Sequence, residues 1–266
     1  MAKETTAALL PAIVVTGASS GIGQAIARVA AREKSFLLLV GRSQRALDDL
    51  VAELAAAGAP AAALAVDLLA PGALDAIEHA LAARGRYCDV LVNGAGFGVF
   101  GPAAQAARGE QLGLIDLNIR ALTDLTLRFL PGMLARGRGG VLNLGSITGY
   151  AAGPNMAAYY ASKAYVNSFS AALAAEVAGS GVTVTCLAPG VVRTAFFARC
   201  GVGQTRLMKL MPRTSAAATA EAGWRGFKAG KPLVVPRWID RFSVLVCRLV
   251  PAGAITRFVA AMQRPR

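Results

Sequence analysis

Short apolar runs alternate along the chain with longer stretches in which apolar positions recur three and four residues apart. The runs at 12–16, 36–40, 61–66, 89–93, 140–145, 182–188 and 232–235 have the length of strands and are apolar almost throughout, as strands buried on both faces are. Helical periodicity covers 21–33, 43–57, 72–84, 109–136, 157–179 and 214–228. Each of these segments is long enough to cross over a sheet and bring the chain back parallel. The alternation predicts an α/β fold, a doubly wound parallel sheet with helices on both faces. Two further amphipathic segments, 238–250 and 254–263, are split by Pro251 and predict a pair of helices outside the sheet. With no internal repeat and no long linker, the expected division is one catalytic-sized domain over 1–236 and a basic helical extension over 237–266.

A chain of 266 residues can bury a large core. Its mean hydropathy of +0.49 raises the question of a membrane span. The longest uncharged stretch, 139–162, is interrupted by Asn143, Ser146, Thr148, Pro154 and Asn155, and no run reaches the eighteen or so apolar residues a span needs. Residues 1–6 show no basic region leading into an apolar stretch and a cleavage site, so the expectation is a cytoplasmic protein. Cys88, Cys186, Cys200 and Cys247 are scattered without a C-x-x-C pair and read as reduced thiols. The single histidine, His79, lies on what reads as a solvated helix face. No metal site is therefore expected, and hydrolytic arrangements that need a histidine base fall away.

The formal charge of +13 is uneven. Through residue 198 there are 15 Lys and Arg against 13 Asp and Glu, and beyond it 13 against 2. Such a basic end could face nucleic acid, an anionic membrane or an acidic ligand, or be a solvated tail. No nucleic-acid recognition motif accompanies it, so specific nucleic-acid binding is not expected.

The chemistry is concentrated at strand ends. After the first strand comes Thr16-Gly17-Ala18-Ser19-Ser20-Gly21-Ile22-Gly23, a glycine-rich turn opening a helix. Backbone there can approach a pyrophosphate while the helix N-terminus offers free N–H groups, which makes the sheet Rossmann-like and marks Gly17, Ser19, Ser20, Gly21, Ile22 and Gly23 as nucleotide contacts. The second strand ends at Gly41-Arg42, where an acidic residue would bind the ribose hydroxyl of NAD. A guanidinium suits a 2′-phosphate instead, which favours NADP(H), unless Arg42 is a surface residue opening a helix. Asp67 and Leu68 after the third strand are placed to meet adenine, and Asn93, Ala95 and Gly96 after the fourth to line the cofactor.

Tyr159 and Lys163 stand four apart and share a helix face. A phenol with a pKa of about 10 shuttles protons poorly at neutral pH, but a neighbouring ammonium and an oxidised nicotinamide both favour phenolate and would lower it. Ser146, thirteen residues earlier and just past a buried strand, could hydrogen-bond a substrate oxygen whose charge changes during hydride transfer. Tyr160 points about 100° away around the helix and is expected to pack.

In order and spacing, the stretch 16–23, Asn93-Gly94-Ala95-Gly96, Asn118, Ser146, Tyr159-x-x-x-Lys163 and Pro189-Gly190 with Thr194 resemble the short-chain dehydrogenase/reductase family over about 12–235. The resemblance implies that Tyr159 is the acid/base, that Lys163 also holds the nicotinamide ribose, that Ser146 orients the substrate, and that Asn118 maintains a water-linked proton path. It further implies that Pro189, Gly190, Val192 and Thr194 close over the nicotinamide, that Arg42 is the arginine of NADP-preferring members, and that the protein is a homodimer or homotetramer built through 109–136 and 157–179. Gly94 stands where many members carry a second Asn. The phrase running from Asn93 to Gly98 is similar to a subgroup of bacterial reductases.

The resemblance also places a substrate lid over 195–212, which holds Phe196, Phe197, Leu207, Met208, Leu210 and Met211. These suit a bulky apolar carbonyl or alcohol, or serve only to pack the lid. Arg199, Arg206 and Lys209 could meet an acidic ligand or be solvated. The two C-terminal helices either cover the body or a neighbouring subunit, or touch an anionic membrane through Arg237, Arg241, Arg248, Arg257 and Arg264. The leading expectation is hydride transfer between NADP(H) and a small-molecule carbonyl or alcohol. The alternative is a non-catalytic NADP(H) sensor or a basic scaffold.

Overall fold

The computed structural model describes residues 9–201, 205–206 and 211–263. Seven parallel strands form the central sheet: β1 (Leu10–Thr16), β2 (Phe36–Gly41), β3 (Ala61–Ala65), β4 (Arg86–Asn93), β5 (Gly139–Leu144), β6 (Val182–Leu187) and β9 (Leu233–Val234). Their order is β3-β2-β1-β4-β5-β6-β9, so the order of strand addition reverses between β1 and β4 and opens a crevice beyond their carboxyl ends. This is the expected Rossmann-like α/β architecture. The expected strands are all present, the last shortened to two residues because it pairs with β6 only over Cys186 and Leu187.

Side-chain alternation divides the core into two layers. Ile13 and Val15 of β1 and Leu37 and Leu39 of β2 pack under α1 (Gly21–Ala30) and α2 (Gln44–Ala56), while Ala12, Val14, Leu38 and Val40 face the opposite side. There they meet α3 (Ala73–Ala82), which supplies Ile77 and Leu81. The segment read as one helix over 109–136 is three pieces in line: α4 (Arg108–Ile115), a π-helical turn over Asp116–Ala121, and α5 (Leu122–Arg136). The widened turn carries Asn118, and such turns recur where a helix must present a side chain to a site.

Helix α6 (Ala157–Glu176) carries Tyr159 and Lys163, and the turn Ile147–Tyr150 lies against it. Beyond β6 a small parallel pair, β7 (Val192–Arg193) and β8 (Thr214–Ser215), ties the two ends of the lid together, which periodicity did not reveal. The lid holds α7 (Phe196–Arg199). Leu207, Met208, Lys209 and Leu210 lie outside the described residues, as do Arg264 and the side chains of Phe197 and Arg199. Helix α8 (Ala216–Lys228) packs Trp224 and Phe227 into the first core layer, and α9 (Trp238–Leu249) and α10 (Ala252–Met262) follow. Helix α9 rests on the Ile147–Tyr150 turn, and Val259 of α10 packs in a cluster with Met156, Tyr160 and Val191. Among the described residues no helix is long and apolar enough to cross a membrane.

Candidate active site

The crevice at the carboxyl ends of β1 and β4 is a cleft of about 240 Å³. Its floor is the turn between β1 and α1. Gly17 has φ of +69°, and a Cβ there would lie 2.7 Å from the Gly94 carbonyl oxygen, so only glycine lets the two loops touch. Thr16, part of the glycine-rich turn in sequence but given no contact there, fixes that approach. Its hydroxyl donates to the Val92 carbonyl at 3.2 Å and accepts from the Gly94 and Ala95 amides at 3.1 and 3.3 Å.

Ser19, Ser20, Gly21, Ile22, Gly23, Arg42, Asp67, Leu68, Ala95 and Gly96 all border this cleft, as do Ser146, Tyr159, Lys163, Pro189, Gly190, Val192 and Thr194. Arg42 is exposed at the end of β2, free to meet an anion. Asp67 accepts the Leu69 amide with one carboxylate oxygen at 3.0 Å, which fixes the loop after β3. A groove with a backbone floor, a helix N-terminus and an exposed guanidinium at one end fits a phosphorylated dinucleotide.

Two of the expected residues stand behind the wall. Asn93 is buried, its amide donating to Asn143 Oδ1 at 2.9 Å and Thr126 Oγ1 at 3.0 Å, so its side chain ties β4 to β5 and α5. Asn118 is buried too. It accepts the Phe97 amide at 3.1 Å and donates to the Phe97 carbonyl at 3.0 Å and to Ser162 Oγ at 3.1 Å, while Ser162 donates to the Tyr159 carbonyl at 2.7 Å. Asn118 thereby joins the loop after β4 to the first turn of α6.

Over three successive turns, at Lys163, Asn167 and Ser170, one face of α6 is polar and buried. Lys163, only 6% exposed, donates from Nζ to the Leu144 carbonyl at 2.7 Å, with Nζ 5.9 Å from the Tyr159 ring centre. Burial pulls its pKa down to about 8. Four residues on, Asn167 clamps Ser146 by donating to its carbonyl at 2.9 Å and accepting its amide at 3.4 Å. Ser170 then accepts from Asn143 at 3.0 Å. Neither Asn167 nor Ser170 was singled out from the sequence, where the only signal was polar residues at eight and eleven positions beyond Tyr159.

Ser146 starts the 3₁₀ turn. Its hydroxyl accepts from the Thr148 amide at 3.1 Å and donates to the Pro189 carbonyl at 3.4 Å. Burial raises the Tyr159 phenol above its ordinary pKa, with neighbouring Tyr160 and Cys200 adding to the rise and the hydroxyls of Ser146 and Thr148 opposing it. The expected lowering is for a phenol with both the Lys163 ammonium and an oxidised nicotinamide beside it; in the chain alone the direction is upward. In the chain alone desolvation dominates, and the phenol keeps its proton. Tyr160 packs as expected, 5% exposed, its hydroxyl accepting from Gln263 at 2.8 Å.

The wall beside Tyr159 is apolar. Phe196 lies with its ring centre 5.3 Å from that of Tyr159, and Phe97, Leu117 and Gly98 complete the rim. Behind them Met156, Phe100, Met211, Ile255 and Val259 form one cluster, so α10 reaches this end of the cleft. Helix α9 reaches the other loop: Asp240, 2% exposed, lies against Gly190, where a Cβ would collide with its carboxylate. Burial raises the Asp240 pKa, opposed by Arg237 and the Gly190 amide.

The short chain dehydrogenase family model matches residues 11–203. An uncharacterised oxidoreductase of Staphylococcus epidermidis is 32% identical over 181 residues, spanning 68% of this chain and 77% of that protein. A short-chain dehydrogenase from Sphingobium yanoikuyae, solved with NADPH, superposes with a TM-score of 0.79 at 33% identity, over 89% of this chain and 92% of that one. The bulky-bulky ketone specific alcohol dehydrogenase from Comamonas testosteroni gives a TM-score of 0.74 at 25% identity, over 91% and 95%.

Proposed function

This chain belongs to the short-chain dehydrogenase family and is an oxidoreductase acting between alcohol and carbonyl, and from that premise we propose that it transfers hydride between NADP(H) and a bulky apolar ketone, aldehyde or secondary alcohol. The observation that carries the proposal is a single cleft with Arg42 at one end and Tyr159, Lys163 and Ser146 beside an aromatic wall at the other. The NADPH-bound relative and the ketone-specific relative agree with this reading. When bound, NADP(H) supplies or accepts the hydride.

In this reading the glycine turn, with Ser19 to Gly23, receives the pyrophosphate, and Arg42 pairs with the 2′-phosphate. Asp67 and Leu68 border the adenine, and Asn93, Ala95, Gly96, Pro189, Gly190, Val192 and Thr194 shape the nicotinamide end. Ser146 turns its hydroxyl from the Pro189 carbonyl to the substrate oxygen. Tyr159 donates its proton to that oxygen as negative charge grows on it in reduction, and takes the proton back in oxidation. Lys163 holds the ribose and re-supplies positive charge near the phenol, and Asn118 keeps the proton path aligned through Phe97 and Ser162. Phe97 and Phe196 hold the apolar part of the substrate and keep water from the reacting carbon.

The catalytic unit is 1–236, with 237–266 an appended helical pair. Leu112, Ile115, Leu127, Leu134 and Tyr165 are exposed on α4, α5 and α6, which favours assembly into a homo-oligomer through that face. A panel of hydrophobic ketones and aldehydes, offered with NADPH deuterated at its transferable position, tests the reaction. A consumed carbonyl should yield alcohol carrying one deuterium. Product free of the label would refute direct hydride transfer.

A further inference from the structure

Helix α9 exposes its large apolar side chains instead of burying them. Trp238 is 77% exposed, Phe242 59%, Leu245 50% and Leu249 74%. At 100° per residue these four fall within an arc of about 60°, a continuous ridge along three turns. The opposite side of the helix already packs on the body through Val244 and Asp240. Phe258 of α10, 61% exposed, adds a fifth large apolar side chain to this pair of helices.

Among the described residues, the exposed charges carried by α9 and α10 all have one sign. Arg241 and Arg248 stand along one edge of the arc and are exposed, as is Arg257 on α10. Beyond Glu221 the only acidic residue is Asp240, and it is buried against Gly190. A second copy seated ridge to ridge about a two-fold axis would set these helices against themselves, and neither carries an exposed carboxylate among the described residues to meet the arginines. A lipid surface bearing phosphate headgroups answers both features, with acyl chains for Trp238, Phe242, Leu245 and Leu249 and anions for the arginines.

We propose that the outer face of α9, with Phe258 of α10, is a docking surface for anionic phospholipid membranes. The helix lies in the headgroup plane and does not span the bilayer. This surface is separate from the residues assigned to the cleft, so failure of either reading leaves the other standing.

The test is co-sedimentation of the full chain with vesicles of phosphatidylcholine and phosphatidylglycerol, and with vesicles of phosphatidylcholine alone. Binding to the mixed vesicles is expected, weakened by salt, and accompanied by a blue shift of tryptophan emission as Trp238 enters the interface. The pair Trp238→Ser and Phe242→Ser should weaken it by about tenfold or more. Arg248→Gln with Arg257→Gln should weaken it by about tenfold while leaving the emission shift of whatever remains bound. Circular dichroism and thermal melting check that the variants fold. Equal binding to neutral vesicles, no binding, or binding untouched by both pairs overturns the proposal. So does sedimentation velocity in which the Trp238 and Phe242 pair lowers the mass of the assembly, because a second copy would then be the occupant.

Discussion

Two regions of this molecule break the usual distribution of residues in opposite senses. Where β4, β5 and α6 meet, polar side chains are buried: Asn93, Asn118, Asn143, Lys163, Asn167 and Ser170 are each 8% exposed or less. On α9 large apolar side chains face solvent. The first region answers most of its own cost, since each residue named has a hydrogen-bond partner in the chain and, of their side-chain atoms, Asn93 Oδ1 is the one left without. The apolar ridge has no such internal answer among the described residues. The contrast teaches that buried polarity here specifies geometry within the chain, whereas exposed apolarity points to something outside it.

The sharpest way to break the polar half of this comparison is at Tyr159. Tyr159→Phe removes the proton donor and leaves the ring packed on Phe196, so kcat should fall by about a thousandfold with NADPH binding retained. Turnover within a few fold of wild type would remove the assigned role. A smaller effect should follow at the clamp. Asn167→Ala frees the backbone of Ser146, and misplacement of that hydroxyl should cost about a hundredfold in kcat while KM for NADPH barely moves. Parallel loss of NADPH binding would show that Asn167 serves the fold at large.

At the far end of the cleft, Arg42→Ala should weaken NADPH by about tenfold and leave NADH unchanged. The smallest effect concerns the buried lysine. Lys163 titrates at about 8 in the folded chain against an ordinary 10.5, so between those values the unfolded chain binds more protons. Stability linked to this residue therefore rises with pH through that window and is lost as pH falls through about 8. The melting temperature of the wild type should climb relative to Lys163→Met between pH 8 and 10. A constant difference would mean that the burial of the ammonium costs nothing.

Much of the lining of the cleft was legible because its motifs are local in sequence. The glycine turn follows directly on a strand, Tyr159 and Lys163 are one helical turn apart, and Arg42 sits at a strand end. Asn118 was reachable only through the family resemblance, since nothing local marks an asparagine in a helix as part of a site. The roles of Thr16, Asn167 and Asp240 were not legible for a shared reason: each acts through a partner 21 or more residues away in sequence, and no spacing rule records such contacts. The upward shift of the phenol in the chain alone was not legible, because sequence shows a lysine one turn from a tyrosine but not how dry their surroundings are. The exposed ridge was foreseen as an amphipathic helix, yet periodicity could not say which of its faces met the body.

The central claim is that the cleft between β1 and β4 is an NADP(H) site, and paired fluorescence titrations of the purified wild-type chain with NADPH and NADH test it most directly. The account predicts saturable NADPH binding at least about tenfold tighter than NADH binding, as a guanidinium paired with the 2′-phosphate requires. Binding of neither dinucleotide, or tighter binding of NADH, would contradict it.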